Sequence, residues 1–419
     1  MDRYVITGKQ RLVGRVKTSG AKNAALPLMA AAILAEGKTV LLGVPRITDI
    51  TNMIKVLKNL GCKAKLDQDE LVLDTSNLQE WTIDEDLMRK MRASNLILGP
   101  MIAKNGRVKI SRPGGCAIGN RPMDQHIKGL IELGVTVKER HGYIEAVAEK
   151  LRGGEIYFDI PSVGATENIM MAAVFAEGTT IMRNAAKEPE IVDLQNLLNK
   201  MGAKVRGGGT HVIRIDGVKS LKSTEHIVIP DRIEAGTHMI AAVMTEGDIL
   251  VDNVIPEHLS PVIAKLRQGG AEIVVNGDSV RVKHRGRFKS LDLKTLTYPG
   301  FPTDLQPQFL ALLTIAEGTS IVSETIFENR FQHVAELVRM GAKITVEGRT
   351  AVISGVATLE GAFVEATDLR AGAALFLAAL AAEEGTVLER IDHIDRGYEN
   401  LEEKYRALGA KMQRVVKQP

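Results

Sequence analysis

The apolar positions of this 419-residue chain fall into two kinds of run that alternate along its whole length. One kind is apolar nearly all round and rich in alanine and methionine, as in Ile169-Met-Met-Ala-Ala-Val-Phe-Ala176. A helix without a polar face belongs in a protein interior. The other kind is striped: Ile50, Met53, Ile54, Leu57 and Leu60 follow the i, i+3, i+4, i+7 rule and predict a helix with one face in water. Between the two lie short β-rich stretches such as Thr39-Val-Leu-Leu42 and Thr319-Ser-Ile-Val322.

Glycines punctuate this pattern. A Glu-Gly pair, once Asn-Gly, closes each apolar run at Gly37, Gly106, Gly178, Gly247, Gly318 and Gly385, roughly 70 residues apart. Each striped run ends at Gly61, Gly134, Gly202, Gly270, Gly341 or Gly409, and glycine just past a helix C-terminus is the expected stop. A strand of the Ala-Lys-Ile-Thr-Val kind (342–346) follows. The chain is therefore a strand–helix–strand–helix–strands unit repeated six times. Parallel strands joined through helices, with right-handed crossovers, are expected. Buried helices with sheets outside them predict an α/β fold in which sheet surrounds a helical core. At about 200 residues per domain, the six units divide into two groups of three, with the split near His226-Ile-Val-Ile-Pro230. The first twenty residues form strands able to pair with either group.

Composition narrows the function only by exclusion. Apolar content is 45%, charged content 25% and net charge +3, so no global charge points to nucleic acid or a membrane surface. Aromatics at 4% offer few base-stacking surfaces. Two cysteines, Cys62 and Cys116, are too few for a disulfide framework or a zinc cluster and fit a reducing, cytoplasmic setting. The N-terminus has no apolar signal core, and the apolar stretch Ala24–Ala35 contains Pro27 and is too short to span a bilayer. The stretch Ala32-Ile-Leu-Ala-Glu-Gly37-Lys38-Thr39 ends like a P-loop, but a helix precedes it and a strand follows, the reverse of the required order.

Candidate chemistry lies where the repeat is irregular. The second unit is about four residues longer than the others, and the excess falls in Arg112-Pro-Gly-Gly-Cys116-Ala-Ile-Gly-Asn-Arg121-Pro122. A thiol between two guanidiniums is biased towards thiolate. About fourteen residues before each marker glycine the chain enters the buried helix. Those junctions carry Lys22-Asn23, Arg92, Ser162-Val163 ahead of Gly164, Asp231-Arg232, Asp304, and Asp368 with Arg370. N-capping accounts for Asp304, Asn23 and Ser162. It does not account for Lys22, Arg92 and Arg370, because cations are disfavoured at helix N-termini; cations gathered there imply an anionic ligand. Cys62, beside the Gly61 stop, reads as a small core residue, the methionines as packing, and Trp81 as a surface or domain-edge residue. His126 and His393 lie near these junctions and are given no catalytic role.

Six such units, with Ser19-Gly20-Ala21-Lys22-Asn23-Ala24-Ala25-Leu26-Pro27, the Cys116 loop and Tyr298-Pro-Gly-Phe-Pro-Thr-Asp304, resemble the bacterial UDP-N-acetylglucosamine 1-carboxyvinyltransferases of the EPSP synthase superfamily. The resemblance covers essentially the whole chain. The Gly-Ser-Lys-Ser opening typical of the related shikimate-pathway transferase is absent. The resemblance implies a two-domain inside-out α/β barrel, with 21–229 as one domain, 1–20 plus 230–419 as the other, and the active site in the cleft between them. It implies transfer of the enolpyruvyl group of phosphoenolpyruvate to the 3′-hydroxyl of UDP-N-acetylglucosamine, with release of phosphate, as the first committed step of peptidoglycan precursor synthesis. Lys22, Asn23, Arg121 and Arg396 would hold phosphoenolpyruvate. Arg92, Arg121, Pro122, Met123, Asp124, Gln125, Ser162, Val163, Asp304 and Ile326 would hold the UDP-sugar, with Arg370 and Asp231 lining the same cleft. Ile160 stands where some members have a lysine. Cys116 would be the proton donor and also the site of a cysteinyl adduct with phosphoenolpyruvate, Asp304 the general base, and Lys22 and Arg396 further catalytic groups. No metal or organic cofactor is called for, since phosphate is already a good leaving group, and no cluster of His, Cys and carboxylates has metal-ligand spacing. No nucleic-acid or membrane partner is implied.

Overall fold

The structure, a computed structural model, describes residues 2–83, 85–90, 92–111, 118–119 and 123–416. The apolar runs are helices and are buried: Lys22–Ala31, Leu98–Asn105, Val163–Ala173, Arg232–Met244, Gln306–Leu313 and Leu369–Ala381. The striped runs are the second helices, Thr48–Asn59, Asp124–Glu132, Pro189–Lys200, Ser260–Gln268, Val334–Arg339 and Leu401–Ala407, each with one buried face. All six helix-stopping glycines have φ between 89° and 107°, a left-handed backbone that other residues adopt only with strain. Alanine and glycine let the buried helices approach closely. A Cβ added to Gly99 would lie 2.1 Å from the Asn168 carbonyl oxygen, and the Gly99 N–H donates to Asn168 Oδ1 at 2.8 Å, stapling two buried helices together.

Strands joined through a buried helix are parallel as expected, as in Glu155–Tyr157 with Thr179–Arg183, but each four-stranded sheet holds one such pair and its remaining pairs are antiparallel. In the first repeat the order is Glu225–Ile227, Lys38–Leu42, Glu70–Asp74, Lys63–Asp67, and only the first pair is parallel. The fifth follows the same plan with Leu293–Lys294, Thr319–Ser323, Thr350–Ser354 and Lys343–Glu347. In the second repeat a lone bridge from Thr82 to Lys109 stands in for the parallel strand. The physical reason is the turn after the second helix. Two strands follow it, joined by tight connections such as His141-Gly142, with φ of 51° and 80°, and a two-residue turn can only make an antiparallel hairpin.

The chain forms two compact units. One contains Gly20–Gly115 and Arg121–Ile229; the other contains Met1–Ser19 and Pro230–Pro419, with Ile118 and Gly119. Each has its own apolar core. Strands are exchanged between sequence segments to complete them. Val13–Lys17, just ahead of the first buried helix, pairs with Asp248–Asp252 of the fourth repeat. Glu225–Ile227, just ahead of the fourth buried helix, pairs with the first repeat. Arg3–Ile6 lies inside the sixth repeat's sheet, between Thr386–Glu389 and Met412–Val415. Each crossing is tied into its own unit by a buried carboxylate. The Ser19 N–H donates to Glu234 Oε2 at 3.1 Å, and the Ile229 N–H donates to Asp193 Oδ2 at 3.3 Å.

Candidate functional site

In the unit of repeats one to three, Lys22 is the first residue of its helix and has no capping role. Its Nζ lies 3.1 Å from Oδ2 of Asp49, a buried carboxylate in the first turn of the next helix. The lysine is thus a charge aimed by a partner of opposite sign that sequence spacing did not reveal. Asn23 is half-buried in the same first turn, and no side-chain cap is made there, so the capping expectation fails for it. Ser162 behaves as expected, accepting from the Ala165 N–H at 3.4 Å, with Val163 opening the helix behind it. Asp124 begins the helix after the Cys116 stretch and is exposed, while Met123 is buried. The Gln125 side chain is committed to the backbone and side chain of Asp159. Its Oε1 accepts from the Asp159 N–H at 3.0 Å and its Nε2 donates to Asp159 Oδ2 at 3.0 Å, which braces the turn leading to Ser162. Those bonds, joined by Lys128, hold the exposed Asp159 carboxyl below its usual range. His126 is buried, and a Cβ on Gly164 would come within 3.0 Å of its ring. Arg92 opens a short 3-10 helix, Arg92–Ile97. Its side chain, together with Cys116, Arg121 and Pro122, lies outside the described residues.

The other unit holds the densest charge cluster. Asp304 sits in the 3-10 turn Thr303–Leu305 ahead of a buried helix, and that turn has no side-chain cap. Its carboxylate instead accepts from Arg330 Nη2 at 2.9 Å and from Arg370 Nη2 at 2.8 Å. The arginine side chains are 2% and 5% exposed, the aspartate 25%. N-capping is therefore not what Asp304 does: it is a partly accessible carboxylate clamped between two buried guanidiniums. Burial works against the charge on Arg370, but Asp304, Tyr398 and Asp231 outweigh it and raise its pKa. Arg370 also lies over the Tyr398 ring at 5.8 Å. Asp231 does cap its helix, accepting from the Ile233 and Glu234 N–H groups at 2.7 and 3.1 Å. Burial pushes its carboxyl up, and Arg370 pulls the other way. Asp368 caps the last buried helix in the same manner.

Ile326 is half-buried, in the loop after the strand Thr319–Ser323, and its N–H donates to Glu324 Oε1 at 2.8 Å. Arg396 ends the 3-10 helix Ile391–Arg396 and is half-buried beside His393, whose ring burial biases towards the neutral form. Sequence reasoning missed Asp49, Arg330 and Glu324. Arg330 carried no signal in spacing, since it lies 26 residues from Asp304. Cys62 is buried and burial, with Asp74 nearby, pushes its thiol up to about 12, as suits a packing residue. Trp81 is half-buried against the core with Arg107 stacked on it at 4.8 Å. Among the described residues no group of three metal-ligating side chains gathers, and no helix is long and apolar enough to cross a membrane.

Comparison with known proteins is consistent along the whole chain. The family profile of EPSP synthase (3-phosphoshikimate 1-carboxyvinyltransferase) matches residues 6–405. UDP-N-acetylglucosamine 1-carboxyvinyltransferase 2 of Carboxydothermus hydrogenoformans is 58% identical over 99% of this chain and 100% of its own. The protein of that organism named UDP-N-acetylglucosamine 1-carboxyvinyltransferase 1 is 56% identical over 99% of each chain. Among solved structures, the enolpyruvyl transferase NikO from Streptomyces tendae superposes with a TM-score of 0.91 at 25% identity, covering 100% of this chain and 99% of that one. EPSP synthase from Acinetobacter baumannii superposes with a TM-score of 0.78 at 18% identity, over 99% of this chain and 100% of its own.

Proposed function

This chain belongs to the UDP-N-acetylglucosamine 1-carboxyvinyltransferases of the EPSP synthase family, and from that premise we propose that it transfers the enolpyruvyl group of phosphoenolpyruvate to the 3′-hydroxyl of UDP-N-acetylglucosamine, the first committed step of peptidoglycan precursor synthesis. The observation that carries the reading is identity of 58% across 99% of the chain to a relative bearing that name; the likeness to EPSP synthase structures, at 18% identity, speaks for the fold alone.

The residues supply the chemistry. Phosphoenolpyruvate carries a phosphate and a carboxylate, and Lys22, Arg121 and Arg396 offset that charge, with Asn23 beside them. The sugar oxygen adds to the substituted carbon of the double bond while Cys116 gives its proton to the methylene carbon. Asp304 accepts the hydroxyl proton as general base. The adduct then loses phosphate from the first carbon while the Cys116 thiolate takes a proton back from the second, which restores the double bond in an enol ether. Bound substrate places negative charge near Cys116 and favours the protonated thiol an acid requires. The same thiol can instead add across the double bond of phosphoenolpyruvate, sulfur to the substituted carbon and its proton to the methylene carbon, which forms the cysteinyl adduct. Arg92, Arg121, Pro122, Met123, Asp124, Gln125, Ser162, Val163, Asp304 and Ile326 hold the UDP-sugar, and Arg370 and Asp231 complete the acidic and basic surroundings of Asp304. Gln125, occupied with Asp159, contributes through its backbone. The reaction is set in the cytoplasm.

The test is phosphate release from phosphoenolpyruvate with each of two acceptors. Release with UDP-N-acetylglucosamine and none with shikimate 3-phosphate is expected; the reverse would assign the chain to the shikimate pathway and overturn the reading.

A further inference from the structure

We propose that Glu324 is a positioning residue that sets Asp304 and Ile326 in register for the acceptor sugar; this rests on the reading above, in which those two residues hold the UDP-sugar. Glu324 is 1% exposed. Among the described residues its hydrogen-bond donors are four and all uncharged. Oε1 accepts from the Thr295 hydroxyl at 2.9 Å, the Ile326 N–H at 2.8 Å and the Phe327 N–H at 3.1 Å, and Oε2 accepts from the Thr303 hydroxyl at 3.0 Å. Burying a carboxylate is costly unless its oxygens are fully engaged, and bonds to an ionised acceptor are about twice as strong as neutral ones.

The position of those donors shows what the carboxyl group does. They come from two loops, one running from Thr295 to Asp304 and one following the strand Thr319–Ser323. Thr295 and Thr325 are already joined without Glu324: the Thr325 N–H donates to Thr295 Oγ1 at 3.0 Å and the Thr325 hydroxyl to the Thr295 carbonyl at 2.6 Å. Thr303, by contrast, is reached by Glu324 itself. One oxygen thus holds the residue next to Asp304, and the other holds the N–H of Ile326. The carboxyl group thus ties Thr303 directly to the Ile326 backbone, next to Arg330, whose Nη2 donates to the Thr303 carbonyl at 3.1 Å and to Asp304 at 2.9 Å. It touches neither reacting atom, so its effect should appear in acceptor binding and alignment and leave phosphoenolpyruvate binding unchanged.

Steady-state phosphate release with Glu324→Ala, Glu324→Gln and Thr303→Val tests this. Glu324→Ala is expected to raise KM for UDP-N-acetylglucosamine about tenfold while KM for phosphoenolpyruvate stays within about twofold. Glu324→Gln should recover most of the loss, because its amide oxygen accepts the same backbone N–H groups and its NH2 donates to the Thr303 hydroxyl, which can turn to accept. Thr303→Val removes only the Oε2 partner and should raise the acceptor KM about threefold; it decides the matter if Glu324→Ala does not fold. Wild-type enzyme that releases no phosphate with UDP-N-acetylglucosamine would defeat the functional reading and this proposal with it. Active wild type with unchanged acceptor KM in Thr303→Val, equal rises in both KM values, or no rescue by glutamine would overturn the proposal alone.

Discussion

Replacing Asp304 with alanine should weaken the fold as well as the reaction. The carboxylate lies 2.9 and 2.8 Å from guanidinium nitrogens whose side chains are 2% and 5% exposed. At an effective dielectric near 20, charge centres about 4 Å apart attract by roughly 4 kcal/mol per pair. Both attractions disappear in Asp304→Ala, and two like charges remain side by side. Water entering through the partly exposed aspartate site recovers some of this, so the net loss should be about 3–5 kcal/mol, the range for breaking a buried ion pair. For a unit of this size that lowers the melting temperature by roughly 10 °C. Activity should fall separately by about 10²–10⁴, the usual contribution of a general base. Calorimetry and denaturant unfolding read the first effect, phosphate release the second. Asp304→Ala in an Arg370→Met background should cost less stability than in wild type, because one of the stranded charges is gone. An Asp304→Ala protein within about 0.5 kcal/mol of wild type would show that the clamp carries no net energy and would refute the reasoning.

Three further outcomes are expected. Cys116→Ser should cripple turnover whereas Cys116→Asp retains it, a carboxylic acid being able to deliver the same proton; intact-mass measurement should find the epoxide fosfomycin on wild type and not on Cys116→Asp. Cys62, with its thiol held up at about 12, should resist iodoacetamide in native protein and react once the chain is denatured; rapid native labelling at Cys62 would contradict its buried placement. Stability should fall as pH drops from 6.5 towards 4. Burial holds His333 neutral down to about 4, while the unfolded chain takes up the proton near 6.5, so protons favour the unfolded state by about 3 kcal/mol across that window. Above pH 6.5 this contribution is fully present. Urea titrations of His333→Gln should show a shallower slope over the same range.

The glycine period and the two kinds of helix were readable in advance because both depend on local physics. A left-handed C′ residue and an all-apolar helix announce themselves within a few residues. What could not be read was any contact between distant positions. Asp304 looks like a cap because aspartate before a helix usually is one; its actual partners stand 26 and 66 residues away. Asp49 looks like an ordinary first-turn acid until Lys22 is seen across from it. Helical crossovers imply parallel pairs, and each four-stranded sheet has one, but the hairpin after each second helix, closed by short turns such as Gln68-Asp69, adds antiparallel pairing that the helix pattern does not announce. Ser162, whose cap is local, was placed correctly from spacing.

The strand exchange has a consequence for how the chain is made. Arg3–Ile6 and Val13–Lys17 are synthesised long before their partners, which lie at Thr386–Glu389, Met412–Val415 and Asp248–Asp252. At about 5–20 residues per second, the first strand waits on the order of 20–80 s for the sheet it belongs in. Residues 20–229 can meanwhile complete their own unit. The newborn chain therefore carries Arg3–Ile6 unpaired while the repeats that follow are made, a stretch for chaperones to cover, and the sixth repeat is sealed by a strand made long before it.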